Sequence, residues 1–194
     1  MTILTIKTAM ASDEDSIVDT LVLAFSSDPA ARWLYSDPHQ YLMHFPTFVR
    51  TFAGKAFEQG SAYYVENYTG AALWFAPDVH PDEDALSVLL KHTIAERDQE
   101  EAFAVFEQMD NYHPNEPHWY LPLIGVDPSQ QRKGCGSALM QHALRSCDRD
   151  KKLAYLESTS ANSIPLYERQ GFKLLGIIQV GVSPPIFPML RKPQ

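Results

Sequence analysis

The stretch Trp119-Tyr-Leu-Pro-Leu-Ile-Gly-Val126-Asp-Pro-Ser-Gln-Gln131-Arg-Lys-Gly134-Cys-Gly136-Ser137 decides the fold. Trp119 to Val126 is an apolar run rich in aromatic and β-branched residues, which predicts a strand. Asp127-Pro128 stops it, because proline brings no ladder donor and fixes its own φ. Gly134 and Gly136 then let the backbone turn tightly and come close to a ligand. A helix is expected to start near Gly136. Its apolar positions Leu139, Met140, Ala143, Leu144 and Cys147 recur at helical spacing and predict a face turned to a sheet. Free N–H groups at that helix start, beside Arg132 and Lys133, form an anion site that a pyrophosphate fits.

Working outward, Leu153 to Ser158 reads as the next strand, parallel to the first through the helical crossover. Asn162 is placed to cap a following helix, Pro165 falls in its first turn and Gly171 closes it. Phe172 to Val180 reads as a strand, and Ile186 to Leu190 completes an antiparallel edge pair with it.

Gln131-Arg132-Lys133-Gly134-Cys135-Gly136, preceded by Val-Asp-Pro, is similar to the acetyl-coenzyme A motif of the GNAT N-acetyltransferase superfamily. The wider run, through Tyr-Leu-Glu-Ser158, Asn162, Pro-Leu-Tyr167-Glu-Arg-Gln-Gly-Phe172 and Met-Leu-Arg-Lys-Pro193, resembles the puromycin N-acetyltransferase group within it. The detailed likeness covers about residues 117 to 193. It implies a mixed α/β fold, a twisted central sheet flanked by helices whose central parallel strands splay apart. Acetyl-coenzyme A is the implied co-substrate. Its pyrophosphate would lie on Gln131, Arg132, Lys133, Gly134, Cys135, Gly136 and Ser137. Its pantetheine arm would lie against the backbone of Leu123, Ile124 and Val126, with Asn162 nearby. Tyr167 matches the tyrosine that faces the thioester sulfur as general acid in many members; a phenol with a pKa of about 10 stays protonated at neutral pH and can donate.

Amine acetylation also needs a base. Some members carry a glutamate on the strand before the phosphate loop, but Trp119 to Val126 holds no carboxylate. Glu157, at the end of the second parallel strand, is the preferred candidate, with Tyr120, His118 and a bare water chain as alternates. Cys135 sits in the phosphate loop, away from the thioester in the family arrangement, so direct transfer in a ternary complex is expected rather than an acetyl-cysteine.

The 194 residues, 45% hydrophobic, are enough for one core and are read as one domain. Residues 1–115 form its acceptor-side part, with a helical insert at 82–112, and residues 117–193 its cofactor-binding part. A net charge of −8 argues against a nucleic-acid partner and suits either a cationic amine or an ordinary solubilising surface. Two cysteines make no disulfide framework, and no apolar run reaches the roughly 18 residues of a membrane span. With no signal-peptide pattern at the start, the cytoplasm is expected. A homodimer is left open as an arrangement.

Upstream, residues 2 to 8 read as a strand, and Ser12 with Asp15 resembles a capping box before the stripe Ile17, Val18, Leu21, Val22 and Phe25. Ser26 to Asp37, with Trp33, Leu34 and Tyr35, is either packing between two helices or part of the acceptor pocket. Residues 38 to 59 predict a second helical region, bent or interrupted at Pro46, whose aromatic stripe is assigned to the core. Tyr63–Val65 and Ala71–Phe75 read as a hairpin. Asp82 to Asp84 lead the insert helix, and beyond a solvated charged run, Glu96 to Glu101, Ala102, Phe103, Phe106 and Met109 continue as a second helix or as an extension of the first. That insert is expected to lid or wall the acceptor site. His113 to His118 is broken by prolines and lacks a further ligand set, so it reads as a connecting loop and no metal centre is assigned.

Two other classes compete. A dinucleotide-binding oxidoreductase would use Gly134 and Gly136 with Glu157 about 20 residues on; Leu139 at the third glycine position and the long spacer after the strand speak against it. An acyl-coenzyme A sensor would keep the loop and lose transfer; Tyr167 and Glu157 speak against that.

Overall fold

The computed structural model describes residues 4–194. It is a seven-stranded sheet with helices on both faces. The strands are β1 (Ile6–Thr8), β2 (Ala62–Val65), β3 (Gly70–Phe75), β4 (His118–Val126), β5 (Leu153–Ser158), β6 (Lys173–Leu174) and β7 (Phe187–Arg191), in the order β1-β2-β3-β4-β5-β7-β6. Among these strands only the β4–β5 pair is parallel. A sheet of that kind is not the parallel, doubly wound sheet of a dinucleotide domain.

The helices are α1 (Glu14–Ala24), α2 (Pro29–Leu34), α3 (Pro38–Ala53), α4 (Lys55–Glu58), α5 (Glu83–Thr93), α6 (Glu96–Tyr112), α7 (Cys135–Arg149) and α8 (Ile164–Arg169). One face of the sheet is covered by α1, α3, α5 and α6, the other by α7 and α8. The two-residue period of the strands sorts side chains between them. Tyr120, Leu123 and Tyr155 join the first core, while Trp119, Leu121, Ala154 and Leu156 join the second. The α7 stripe read from the sequence is wholly buried, with Leu139, Met140 and Cys147 fully excluded from water.

The strand pair that matters most comes apart. β4 pairs with β5 only from His118–Leu153 to Leu121–Leu156. Beyond that point β4 continues on β3 as far as Val126–Gly70, and β5 continues on β7 as far as Ser158–Phe187. The β3–β4 register also shifts between Leu73–Leu123 and Phe75–Tyr120, leaving Leu121 and Pro122 in a bulge. Pro122 has no N–H to donate, so a mid-strand proline is tolerated at such a bulge.

Several expectations are corrected. The helix α1 starts at Glu14, and the capping contact is not Ser12 with Asp15 but the Met10 N–H donating to Asp13 at 2.8 Å. The first strand is confined to Ile6–Thr8, and the part of the expected strand before Leu4 lies outside the described residues. Pro46 does not interrupt α3. The run Glu96 to Glu101 does not separate two helices but forms the first turns of α6, largely exposed. The strand expected over Phe172 to Val180 is only β6 plus a single bridge, Ile178 to Ile186.

The layer of α7 and α8 is locked at its rear by Arg191. It is 3% exposed and donates two hydrogen bonds to Asp148, at 2.7 and 2.9 Å, and a third to the Gln170 carbonyl at 2.7 Å. One guanidinium thus joins β7, the end of α7 and the end of α8. Asp148→Asn is expected to lower stability by about 3 kcal/mol, since it leaves a buried charge short of its partner. Hydrogen bonds from Arg191 hold the Asp148 carboxyl below its ordinary range. A depressed carboxylate contributes stability above its unfolded pKa, about 3.9, and loses it as pH falls through the folded value. Urea midpoints of the two proteins should therefore converge on acidification below about pH 4.

Candidate active site

The gap between β4 and β5 opens into a cavity of about 850 Å³. At one end lie Gln131, Arg132 and Gly134 to Ser137, the loop and first turn of α7. Gly134 takes φ 91° and Arg132 φ 63°, so the loop twice enters the left-handed region. That alternation turns successive N–H groups to one side and makes an anion-binding concavity. The first turn of α7 adds N–H groups that have no acceptor within the helix. Gly136 keeps its place because an added Cβ would stand 3.3 Å from Leu166 of α8.

Along the split, Leu123, Ile124 and Val126 line the cavity on β4, and Leu156, Glu157 and Ser158 line it on β5. Asn162, Leu166 and Tyr167 come from the α8 side. Of the residues the sequence nominated, Lys133 is not on this wall, being exposed and bonded to Gln130 at 3.0 Å, and neither are the alternate bases Tyr120 and His118. Asn162 is on the wall but does not cap a helix. It sits in a 3-10 turn, Ala161–Ser163, and α8 starts after Ser163 without a side-chain cap.

Tyr167 is 6% exposed and belongs to the α7–α8 core. Burial, with the nearby Asp28 charge as a lesser cause, pushes its hydroxyl well above the ordinary phenol value. It is therefore held as a proton donor. Glu157 stands on the other face, its side chain 3% exposed, with His113 Nε2 3.2 Å from its Oε1. Tyr120 and Tyr155 have their hydroxyls pushed up by burial first and by the Glu157 charge second. Neither phenol is suited to accept a proton, and His118 does not reach this cavity.

The other end of the cavity is apolar. Trp33 and Leu34 of α2, Phe45, Phe48 and Phe52 of α3, and Phe106 and Met109 of α6 form its walls. The α3 stripe assigned to the core is both core and cavity wall, with ring centroids 5.5 Å apart for Phe45–Phe48 and 5.3 Å for Phe48–Phe52. The segment 26–37 divides: Ser27 to Ala31, Trp33 and Leu34 face the cavity, whereas Tyr35 is buried against Thr93 at 3.0 Å. The insert walls the cavity through α6.

The sequence reading missed Asp28. Its carboxylate caps α2 by accepting the Ala30 and Ala31 N–H groups at 3.0 Å, and it also accepts the Thr159 hydroxyl. Burial raises its pKa. The Asp28-Pro29 pair announces a helix start, but only the fold reveals that this start lies against β5. It also missed His113, set aside as part of a connecting loop.

Glycine positions test this geometry. Gly134→Ala is expected to cost about 1 kcal/mol of stability through backbone strain alone, because the nearest atom to an added Cβ is 3.8 Å away. Gly125→Ala should cost more, about 1 to 3 kcal/mol, because its Cβ would stand 2.6 Å from Ala24 of α1. Denaturant midpoints of the two variants give the ranking.

Comparisons with known proteins agree with this arrangement. Residues 90–174 match the family model described as an acetyltransferase (GNAT) domain. The chain is 25% identical, over 97% of its length and 83% of the other's, to an uncharacterized N-acetyltransferase of Schizosaccharomyces pombe. A solved structure from Corynebacterium glutamicum, titled histone acetyltransferase HPA2 and related acetyltransferase, superposes with a TM-score of 0.70 at 27% identity, covering 100% of this chain and 98% of that one. Arylalkylamine N-acetyltransferase 2 from Aedes aegypti shares the fold, with a TM-score of 0.69 at 12% identity over the full length of both chains. The split sheet and the glycine loop on α7 agree with these likenesses: the chain is an acetyltransferase, with a GNAT domain matched over residues 90–174.

Proposed function

We propose that this acetyltransferase moves the acetyl group of acetyl-coenzyme A onto the primary amine of a small molecule, by direct transfer in a ternary complex. The observation that carries the reading is one continuous cavity, which runs from the glycine loop through the β4–β5 split to an aromatic chamber. Coenzyme A fits the first part. Its pyrophosphate has the N–H groups of Gly134 to Ser137 and the Arg132 side chain, and its arm has the β4 edge that β5 leaves free.

The amine would enter from the aromatic chamber. Walls of Trp33, Phe45, Phe52, Phe106 and Met109 suit an acceptor with an apolar body. The carboxylates of Asp28 and Glu157 on the same wall favour an ammonium head over an anion. A chamber closed by α6 suits a small molecule better than an extended peptide. The likeness to the puromycin N-acetyltransferase group makes puromycin one amine to test.

Acid and base come from opposite faces of the sheet. Glu157 takes a proton from the ammonium, directly or through one water, so that the nitrogen lone pair can attack the thioester carbon. Tyr167, from the α8 face, gives its proton to the departing thiolate and is recharged by the proton the acylated nitrogen must still lose. The two share a cavity only because the sheet is split between them.

Free-thiol release from acetyl-coenzyme A, measured against a panel of amines, tests the reading. Tyr167→Phe is expected to lower kcat about 10²-fold with acetyl-coenzyme A affinity nearly unchanged. Because the Tyr167 hydroxyl is raised, its acid form persists as pH rises through the ordinary phenol value, and kcat should not fall from this group below about pH 10. A kcat undiminished in Tyr167→Phe would overturn its role as the acid. Calorimetric binding of acetyl-coenzyme A without turnover on any amine would favour an acyl-coenzyme A binding module instead.

A further inference from the structure

We infer that His113 and His118 form a proton relay that carries the proton collected by Glu157 out of the acetyl-transfer cavity into a second, separate pocket. The inference rests on the reading of Glu157 as the base. The second pocket, about 120 Å³, is lined by Asp78, His80, His113, Glu116, His118 and Tyr120 among others, and it shares no lining residue with the large cavity. The histidines bridge the two. His113 Nε2 is 3.2 Å from Glu157 Oε1, His113 Nδ1 is 3.1 Å from His118 Nε2, and His118 Nδ1 is 2.8 Å from the Glu116 carbonyl oxygen.

The polarity of this chain follows from its last link. A carbonyl only accepts, so His118 Nδ1 carries the hydrogen. His118 Nε2 is then the acceptor in the neutral ring, and His113 Nδ1 donates to it. That leaves His113 Nε2 with a lone pair facing a buried carboxylate oxygen. Two lone pairs at 3.2 Å repel, and Glu157 Oε1, beside the Tyr120 and Tyr155 hydroxyls, makes no hydrogen bond in this arrangement; a proton shared with His113 supplies one. The ring orientations therefore describe the loaded state, with one proton shared by Glu157 and His113.

Discharge moves that proton by two transfers. His113 Nε2 keeps the shared proton, His113 Nδ1 passes its own to His118 Nε2, and His118 releases the one on Nδ1 to water in the second pocket. Glu157 is left as a carboxylate accepting from His113, which in turn accepts from His118. That leaves the His118 Nδ1 lone pair facing the Glu116 carbonyl, so once Glu157 has taken the next proton both rings return their N–H to Nδ1 through water in the second pocket, which both line, before the chain conducts again. The balance matches the reaction: one ammonium and one thioester give an amide, a thiol and one proton to be exported per turnover. His118 suits the exit position. Burial lowers its pKa, with neighbouring His113 and His80 adding to the effect and the Glu116 carbonyl and Glu157 opposing it, so it does not trap the proton. Tyr155 packs against both imidazoles, at 4.4 and 5.8 Å between ring centroids, and Tyr120 against His113 at 4.6 Å, holding the rings in line.

His118→Gln tests the relay at the end remote from the reacting atoms. In weak buffer its kcat should fall roughly tenfold or more while KM for both substrates changes little, and added imidazole, small enough for the vacated pocket, should restore it. A variant with wild-type kcat and no response to imidazole overturns the relay. Glu157→Gln run alongside separates the two claims: if it keeps full kcat, the base assignment fails and the relay with it; if it is inactive while His118→Gln is unaffected, the relay alone fails. Should His118→Gln not fold, nitrogen-15 spectra of the histidines in the wild-type protein serve instead. His118 should change from the Nδ1–H to the Nε2–H tautomer between about pH 5 and pH 9, and one unchanging neutral tautomer would refute the relay.

Discussion

The lost pairing between β4 and β5 beyond Leu121 and Leu156 is the constraint on which the rest of the structure depends. A parallel pair in mid-sheet ordinarily keeps its ladder, because unpaired buried backbone groups are costly. Here each strand keeps one partner, β3 for β4 and β7 for β5, and gives up only the edge they would have shared. Pro122 falls where the register shifts and the parallel ladder ends, a position where a missing N–H removes no bond the sheet would otherwise make. The free edge is then available to a ligand that brings its own amides. The cavity and the approach of groups from both faces follow from this one separation.

The split also explains how the two proposed catalytic groups are tuned differently. Tyr167 is packed into the α7–α8 layer, where burial keeps its proton on. Glu157 is carried by the two-residue period of β5 to the other face, against His113, Tyr120 and Tyr155. Leu156, one residue earlier, faces the opposite layer. A shift of β5 by one residue would exchange those positions, and the five-residue pairing with β7 fixes the register against it. The Arg191 clamp at the back of the same layer holds β7, α7 and α8 together around that register.

The aromatic chamber is built by residues that a linear reading treats as unrelated. Phe45, Phe48 and Phe52 repeat at helical spacing and pack like any core stripe, yet the same rings face the cavity. Trp33 belongs to a six-residue helix whose start is fixed by Asp28, and Asp28 in turn is held by Thr159 at the end of β5. One carboxylate thus ties the aromatic wall of the cavity to the strand that carries Glu157.

The sequence by itself determined the parts governed by local chemistry. A continuous apolar run placed β4 to within a residue, the order strand, helix, strand placed β5, the helical stripe from Leu139 to Cys147 predicted the buried face of α7, and Gly134 marked a φ that other residues resist. Those features read plainly because each depends on neighbours a few residues away. Asn162, expected as a cap, and Phe172 to Val180, expected as a strand, read poorly because a cap or an edge strand is settled by what packs beside it. Pro122 was visible in the sequence, but its consequence depends on β3 and β5 arriving on either side. Only the tertiary structure set His113 against Glu157 across 44 residues of chain. No periodicity encodes such a contact, because it arises where the end of α6 and the end of β5 meet over the sheet.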